Sequence, residues 1–127
     1  MAKTIVSTPD APQALGPYSQ GVKGGGFVFT AGQIALDPTT GKLEAGDVAV
    51  QTHRVMRNLQ AVLSAAGSSL DRVVKTTCFL VDLDDFAAFN AAYAEYFTGN
   101  PPARSTVQAA CLPAGALVEV ECIAECD

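Results

Sequence analysis

The stretch Leu117 to Glu125 restricts the possible folds most, because its two parities are made of different material. Val118, Val120, Cys122 and Ala124 form an apolar set, whereas Leu117, Glu119, Glu121, Ile123 and Glu125 mix apolar with acidic side chains. Alternation with period two marks a strand whose successive side chains point to opposite faces. One face then packs under helices. The other is too apolar to be left fully wet and too polar for an ordinary core. A surface shared between subunits, with pockets in it, satisfies both demands. A chain of 127 residues, 49% of them hydrophobic, fits one domain, 1–127, with one core. Self-association is a common way for so small and apolar a chain to hide surplus surface.

The rest of the chain divides into short elements. Thr4 to Ser7 reads as a strand, followed by a loop marked by Pro9, Pro12, Gly16 and Pro17. Tyr18 to Lys23 and Phe27 to Ala31 read as a hairpin around Gly24-Gly25-Gly26. That triplet lacks a Lys-Ser/Thr ending and opens no helix, so it is a turn and not a phosphate loop. Asp37-Pro38-Thr39-Thr40-Gly41 is a second turn.

Asp47 is a fitting N-cap for a helix whose apolar stripe runs Val48, Thr52, Val55, Leu59, Val62 and Ala66, with Gly67 as its stop. Val73 to Val81 is a β-branched strand. Asp82 to Asp85 caps a second helix with Phe86, Phe89, Tyr93 and Phe97 along one side, a spacing that reads as core. Two final strands, Arg104 to Ala110 and Leu117 to Glu125, flank a turn at 112–115. The order β-β-β-α-β-α-β-β predicts an α+β fold with both helices on one face of a mixed sheet, its halves resembling a split βαβ unit.

Charge and cysteine use narrow the function. A net charge of −5 and a pI of about 4.6 disfavour nucleic acid and anionic membrane as partners. No apolar run approaches the ~20 residues a membrane span needs, and Met1 to Val6 has no secretory core, which points to the cytosol. Cys78, Cys111, Cys122 and Cys126 read as small buried hydrophobes in a reducing compartment. No metal site is expected: there is no Cys-x-x-Cys and one histidine, and Cys122 and Cys126 would lie ~13 Å apart along a strand. That histidine, His53, lies one residue off the apolar stripe and is expected to face solvent.

Pairing the last two strands as a hairpin with a four-residue turn sets Gln108 opposite Glu119, Thr106 opposite Glu121 and Arg104 opposite Ile123. All six side chains then share the face away from the helices. Arg104 follows Pro101-Pro102-Ala103, where a loop gives way to sheet. It is either a surface ion pair or a fork for a substrate carboxylate, held by two parallel charge-assisted hydrogen bonds.

Six blocks, in order, are similar to those of the Rid (YjgF-like) family. They are Gly16-Pro17-Tyr18-Ser19-Gln20, Ala31-Gly32-Gln33-Ile34, Val74-Lys75-Thr76-Thr77, Asp85-Phe86 with Asn90, Pro102-Ala103-Arg104-Ser105-Thr106-Val107, and Val118-Glu119-Val120-Glu121 with Ile123-Ala124. The resemblance spans nearly the whole chain. It implies a chorismate-mutase-like fold and a homotrimer with a barrel-like core, with a ligand cleft at each subunit boundary.

It also implies hydrolysis of reactive enamines and imines (2-aminoacrylate, 2-aminocrotonate and their imine tautomers) to 2-oxo acids and ammonia, with no cofactor. Arg104 matches the carboxylate-binding arginine, Glu119 the glutamate that positions or activates water, and Tyr18 an aromatic wall. Asn90 matches a cleft-lining side chain. Gly32 and Thr106 fall where backbone groups meet the ligand, and Ala31 stands where many members have a serine whose hydroxyl could reach it. Gln108, Cys111 and Cys122 also depart from the common pattern.

Such hydrolysis needs the carboxylate held, a water aimed at the imine carbon, and a proton shuttle. In the assumed hairpin Arg104 and Glu119 lie ~13 Å apart, so the expected site takes Arg104 from one subunit and Glu119 from its neighbour. Glu119 as an ion pair between subunits and Tyr18 as packing are the structural alternatives. Two rival functions remain: a non-enzymatic binder of small carboxylic acids, and an endoribonuclease or translation inhibitor. The second is disfavoured by one histidine and an acidic surface.

Overall fold

The apolar stripe after Asp47 forms α1 (Val48–Ala65) in a computed structural model that describes residues 2–127. Met1, the start of the N-terminal segment read above, lies outside the described residues. Asp47 caps the helix by accepting from the Val50 N–H at 3.0 Å. At the other end Gly67 takes φ +78°, and the Ser68 and Gly67 N–H groups return to the carbonyls of Leu63 and Ser64. That paired closure needs a left-handed residue, which glycine supplies without strain. Val55, Met56, Leu59, Val62 and Leu63 have no exposed surface. Each such burial contributes about 1.5–3 kcal/mol.

The strands are β1 (Thr4–Val6), β2 (Gly21–Gly24), β3 (Phe27–Thr30), β4 (Val73–Leu80), β5 (Ala103–Gln108) and β6 (Val118–Glu125), with α2 (Phe86–Ala94) between β4 and β5. The order of elements is the one the sequence predicts. Gly25 and Gly26, both at positive φ, make the two-residue turn between β2 and β3, where Gly24 pairs with Phe27. Tyr18 lies in the preceding loop, outside β2.

The six-stranded sheet runs β1-β2-β3-β6-β4-β5. β6 is antiparallel to both β3 and β4, so β3, α1 and β4 form a split βαβ unit with β6 in the gap. β4 and β5 pair in parallel through α2. Both helices cover one face, where Val28, Cys78, Leu80, Val118, Val120, Cys122 and Ala124 meet α1, Phe89 and Tyr93. On the opposite face Phe29 is 46% and Val107 45% exposed, and Glu119 and Ile123 are half-buried.

The expected hairpin of the last two strands does not form. β4 lies between β5 and β6, and Arg104 pairs with Thr76, which in turn pairs with Cys122. The parity of β5 is therefore the reverse of the expectation. Arg104, Thr106 and Gln108 stand on the helix side, in line with the core residues Cys122, Val120 and Val118, while Ser105 and Val107 face away. The cause is the crossover through α2, which delivers β5 parallel to β4 at the outer edge. The long return to β6 then has to pass over β4.

His53 also departs from expectation. It is half-buried, with Nδ1 2.8 Å from the Tyr96 hydroxyl, and ties α1 to the end of α2. Cys78, Cys122 and Cys126 are buried and Cys111 is exposed, all four as free thiols.

Candidate functional site: two clefts on opposite faces

Five of the seven predicted residues gather into two clefts, and Ala31 and Thr106 line neither. The first, of about 240 Å³, contains Tyr18, Gly32 and Glu119 and is closed by Pro12, Gln13, Ile34 and Pro113. After β3 the chain bulges and rejoins β6, where the Gln33 and Val120 backbones exchange hydrogen bonds of 2.9 and 3.1 Å. That return lays Gly32 directly under Glu119. A Cβ on Gly32 would overlap a Glu119 carboxylate oxygen and lie 2.8 Å from the carboxyl carbon, so only glycine leaves this space.

Burial, and then the neighbouring charge of Glu121, push the Glu119 pKa above its ordinary value. The shift is in the direction that lets a carboxyl group hold and return a proton more readily than a free glutamate does.

The loop that walls this cleft is pinned by Gln20, which is 4% exposed. Its amide donates to the carbonyls of Thr8, Ala11 and Pro12, and its oxygen accepts from the Thr8 N–H. Asn58, fully buried in α1, donates to the carbonyls of Ile34 and Leu36 and fixes the opposite wall. The sequence names Gln20 only as part of a family-like block, without a role, and gives no place to Asn58. Their signal was a polar side chain inside an otherwise apolar stripe or motif. Ala31 is half-buried at the end of β3, with its N–H on the Gln20 carbonyl, and lines neither cleft.

The second cleft, of about 460 Å³, lies on the helix side at the β5 edge. Arg104 and Asn90 line it with Tyr93, Phe97, Pro101 and Pro102. Arg104 Nη1 donates to Asn90 Oδ1 at 2.8 Å. Its guanidinium carbon sits 5.5 Å from the ring centre of Phe86, 5.9 Å from Phe89 and 4.9 Å from Tyr93. Among the described residues no carboxylate lies within ion-pair distance of Arg104. The surface-ion-pair alternative is thus absent within the protomer. Thr106 is next but one along β5, and its buried hydroxyl oxygen has no hydrogen-bond partner.

Glu119 pairs with Phe79, which pairs with Val107, so Arg104 lies two strands over and three residues along. That is ~14 Å between backbones at ordinary sheet spacings, and the two side chains leave opposite faces. The expectation that they do not meet within one chain holds, through a register different from the assumed one.

Comparison with known proteins agrees with this architecture. The family model described as Endoribonuclease L-PSP matches residues 8–126. A RutC family protein of Pyrococcus abyssi is 50% identical over 98% of this chain and 98% of its own. The 2-iminobutanoate/2-iminopropanoate deaminase of Mus musculus is 43% identical over 96% of this chain and 90% of its own. The crystal structure of E. coli TdcF with bound serine superposes with a TM-score of 0.93 at 42% identity, covering 98% of this chain and 99% of that one.

Proposed function

Because the chain belongs to the Endoribonuclease L-PSP family, which includes the Rid (YjgF-like) proteins, we propose that it hydrolyses small 2-imino acids and their enamine tautomers to 2-oxo acids and ammonia. The substrates are 2-aminoacrylate and 2-aminocrotonate in their imine forms. The working unit is a homotrimer in the cytosol with its sites at the subunit boundaries and no cofactor.

The observation that carries this reading is the unpaired guanidinium of Arg104 at the edge of a cleft. An arginine with free N–H donors and an apolar surround is a receptor for a small carboxylate. TdcF was solved with serine, a three-carbon amino acid that carries such a group. The mouse relative's name gives the reaction class.

The chemistry follows from the residue types. The protonated imine carbon is already electrophilic, so one water suffices. Glu119 takes a proton from that water as its oxygen bonds to carbon, giving a tetrahedral carbinolamine. The same carboxyl then returns the proton to the nitrogen; as the C–N bond breaks the carboxylate takes the proton of the carbinolamine hydroxyl, leaving the carbonyl of the oxo acid, and that proton passes to the departing ammonia. Arg104 holds the carboxylate throughout, Tyr18 walls the cleft, Asn90 orients the guanidinium, and Gly32 and Thr106 border the ligand. Ala31 offers no hydroxyl to it.

Two half-sites on opposite faces call for a partner subunit. The exposed apolar face bearing Phe29 and Val107 is the surface such a partner would cover. Ribonuclease chemistry without a metal wants an acid–base pair and cations for phosphate. Here the single histidine is engaged with Tyr96 and lines neither cleft.

The test is to generate 2-aminoacrylate in situ with a serine dehydratase and follow pyruvate with and without the protein. Acceleration lost in Arg104→Ala and in Glu119→Gln is expected, and no acceleration by the wild type would overturn the reading. Co-refolding the two inactive variants should restore some activity, because some mixed trimers regain an intact pocket. Mixtures as inactive as the parents would show that both residues serve from one chain.

A further inference from the structure

We propose that Tyr93 is a positioning residue for Arg104, locked by Thr76, so that the guanidinium is held without using the donors a ligand needs. The inference rests on the reading of Arg104 as the carboxylate receptor.

The geometry begins in the sheet. Thr76 and Arg104 are direct partners in the parallel β4–β5 register and stand on the same face. Thr76 is 1% exposed, and its hydroxyl lies 2.8 Å from that of Tyr93, which is 5% exposed. The Tyr93 ring is thus fixed at both ends, by the backbone of α2 and by the strand next to Arg104. Burial raises the phenol pKa above its ordinary range, so the hydroxyl stays protonated and the bond to Thr76 persists across neutral pH.

A ring held there must lie across the guanidinium, and of the three aromatic rings around it Tyr93 is nearest, at 4.9 Å. An aromatic face attracts a cation through its quadrupole and needs none of the five N–H donors. One donor goes to Asn90. A carboxylate in the place of Tyr93 would hold the cation as firmly but would occupy the fork and compete with the ligand. The hydroxyl of Tyr93 therefore has a role that packing alone would not give it. It anchors the ring that aims Arg104.

The experiment uses the intact protein and two probes of one shape, 2-oxobutanoate and its neutral amide 2-oxobutanamide, with Kd measured by titration. Replacing the ring with Tyr93→Leu is expected to weaken the acid about tenfold, the effect of losing one partly desolvated cation–π contact. The amide should change less than twofold. In an Arg104→Ala background the same substitution should alter neither. Tyr93→Phe and Thr76→Val, which keep shape and fold, should each weaken the acid by a similar smaller factor. Combined, they should weaken the acid no more than either alone, because each deletes the Thr76–Tyr93 hydrogen bond; the weak Cys78 thiol contact that Thr76→Val also removes involves none of Arg104's donors.

Equal losses for acid and amide, or a loss that persists without Arg104, would overturn the proposal and make Tyr93 a packing residue. An Arg104→Ala protein that binds the acid like wild type would instead remove the receptor reading, and Tyr93's role with it.

Discussion

Gly32→Ala separates the candidate chemistry from the fold more sharply than removal of any charged residue. The backbone at Gly32 is open to alanine, and the nearest atoms a methyl would meet all belong to Glu119: a carboxylate oxygen, the carboxyl carbon at 2.8 Å and Cγ at 3.1 Å. The far end of a flexible side chain can rotate away, so the stability penalty lies at the low end of the ~1–3 kcal/mol seen for overpacking. Loss of glycine's unfolded-state freedom offsets about 0.4–1 kcal/mol of that. The net change is therefore about 1 kcal/mol or less, a shift of about 4 °C in Tm for a domain of this size.

Turnover should respond very differently. The carboxylate must leave its place against Gly32, and a displacement on the order of 1 Å can lower a rate ~10²-fold. The assay is pyruvate release from 2-aminoacrylate beside a thermal melt, in the wild type and in a Glu119→Gln background. Gly32→Ala should lower the rate about 10²-fold or more alone, and add little once Glu119 is replaced by Gln. A variant that keeps its rate, or loses the same factor in both backgrounds, would refute the placement of the working carboxylate.

Two further outcomes follow from burial. Because the folded protein holds the Glu119 proton to higher pH than the unfolded chain does, that group's contribution is full below the ordinary glutamate range and is lost as pH rises through its raised value. Glu119→Gln should then gain Tm relative to wild type between pH 4 and pH 7; a gain that shrinks with pH would mean that a cation from another subunit pairs with Glu119. Burial pushes the thiols of Cys78 and Cys122 up to about 11, so iodoacetamide at pH 8 followed by peptide mass mapping should label neither until the protein unfolds. The exposed Cys111 serves as the reactive reference, and early labelling of Cys78 would show that the core opens.

The elements were legible because each carries its signal locally. Asp47 and Gly67 bracket α1 as the sequence predicts, and the alternation of β6 puts Val118, Val120, Cys122 and Ala124 under the helices. Pairing was not legible, because nothing local to Arg104–Gln108 states which strand lies beside it. Consecutive antiparallel strands invite a hairpin, yet β4–α2–β5 is a parallel unit, and parallel partners are chosen by the crossover rather than by a turn. One wrong neighbour reversed the parity of β5 and moved Arg104 to the opposite face. The polar residues inside α1 failed for a related reason. Asn58 and Gln51 bond to loop backbone at Ile34, Leu36, Glu44 and Leu117, and such partners are fixed only after the chain has folded.

The separation of Arg104 from Glu119 nevertheless holds in the observed register, for a physical reason stronger than distance along a hairpin. In the assumed hairpin both side chains shared a face and distance alone kept them apart, so a longer turn could have brought them together. In the observed sheet, β4 intervenes and the two side chains leave opposite faces. No adjustment of a loop joins side chains across the thickness of a sheet whose strands are paired throughout. The half-site with Glu119 opens beside the exposed apolar face, while the half-site with Arg104 opens at the free edge of β5. A face and an edge can meet only when one copy's edge is laid against another copy's face, so the joint action proposed for these two residues on one small acid requires association. Dilution then becomes a catalytic variable: on going below the concentration at which the subunits separate, specific activity should fall together with the assembled fraction.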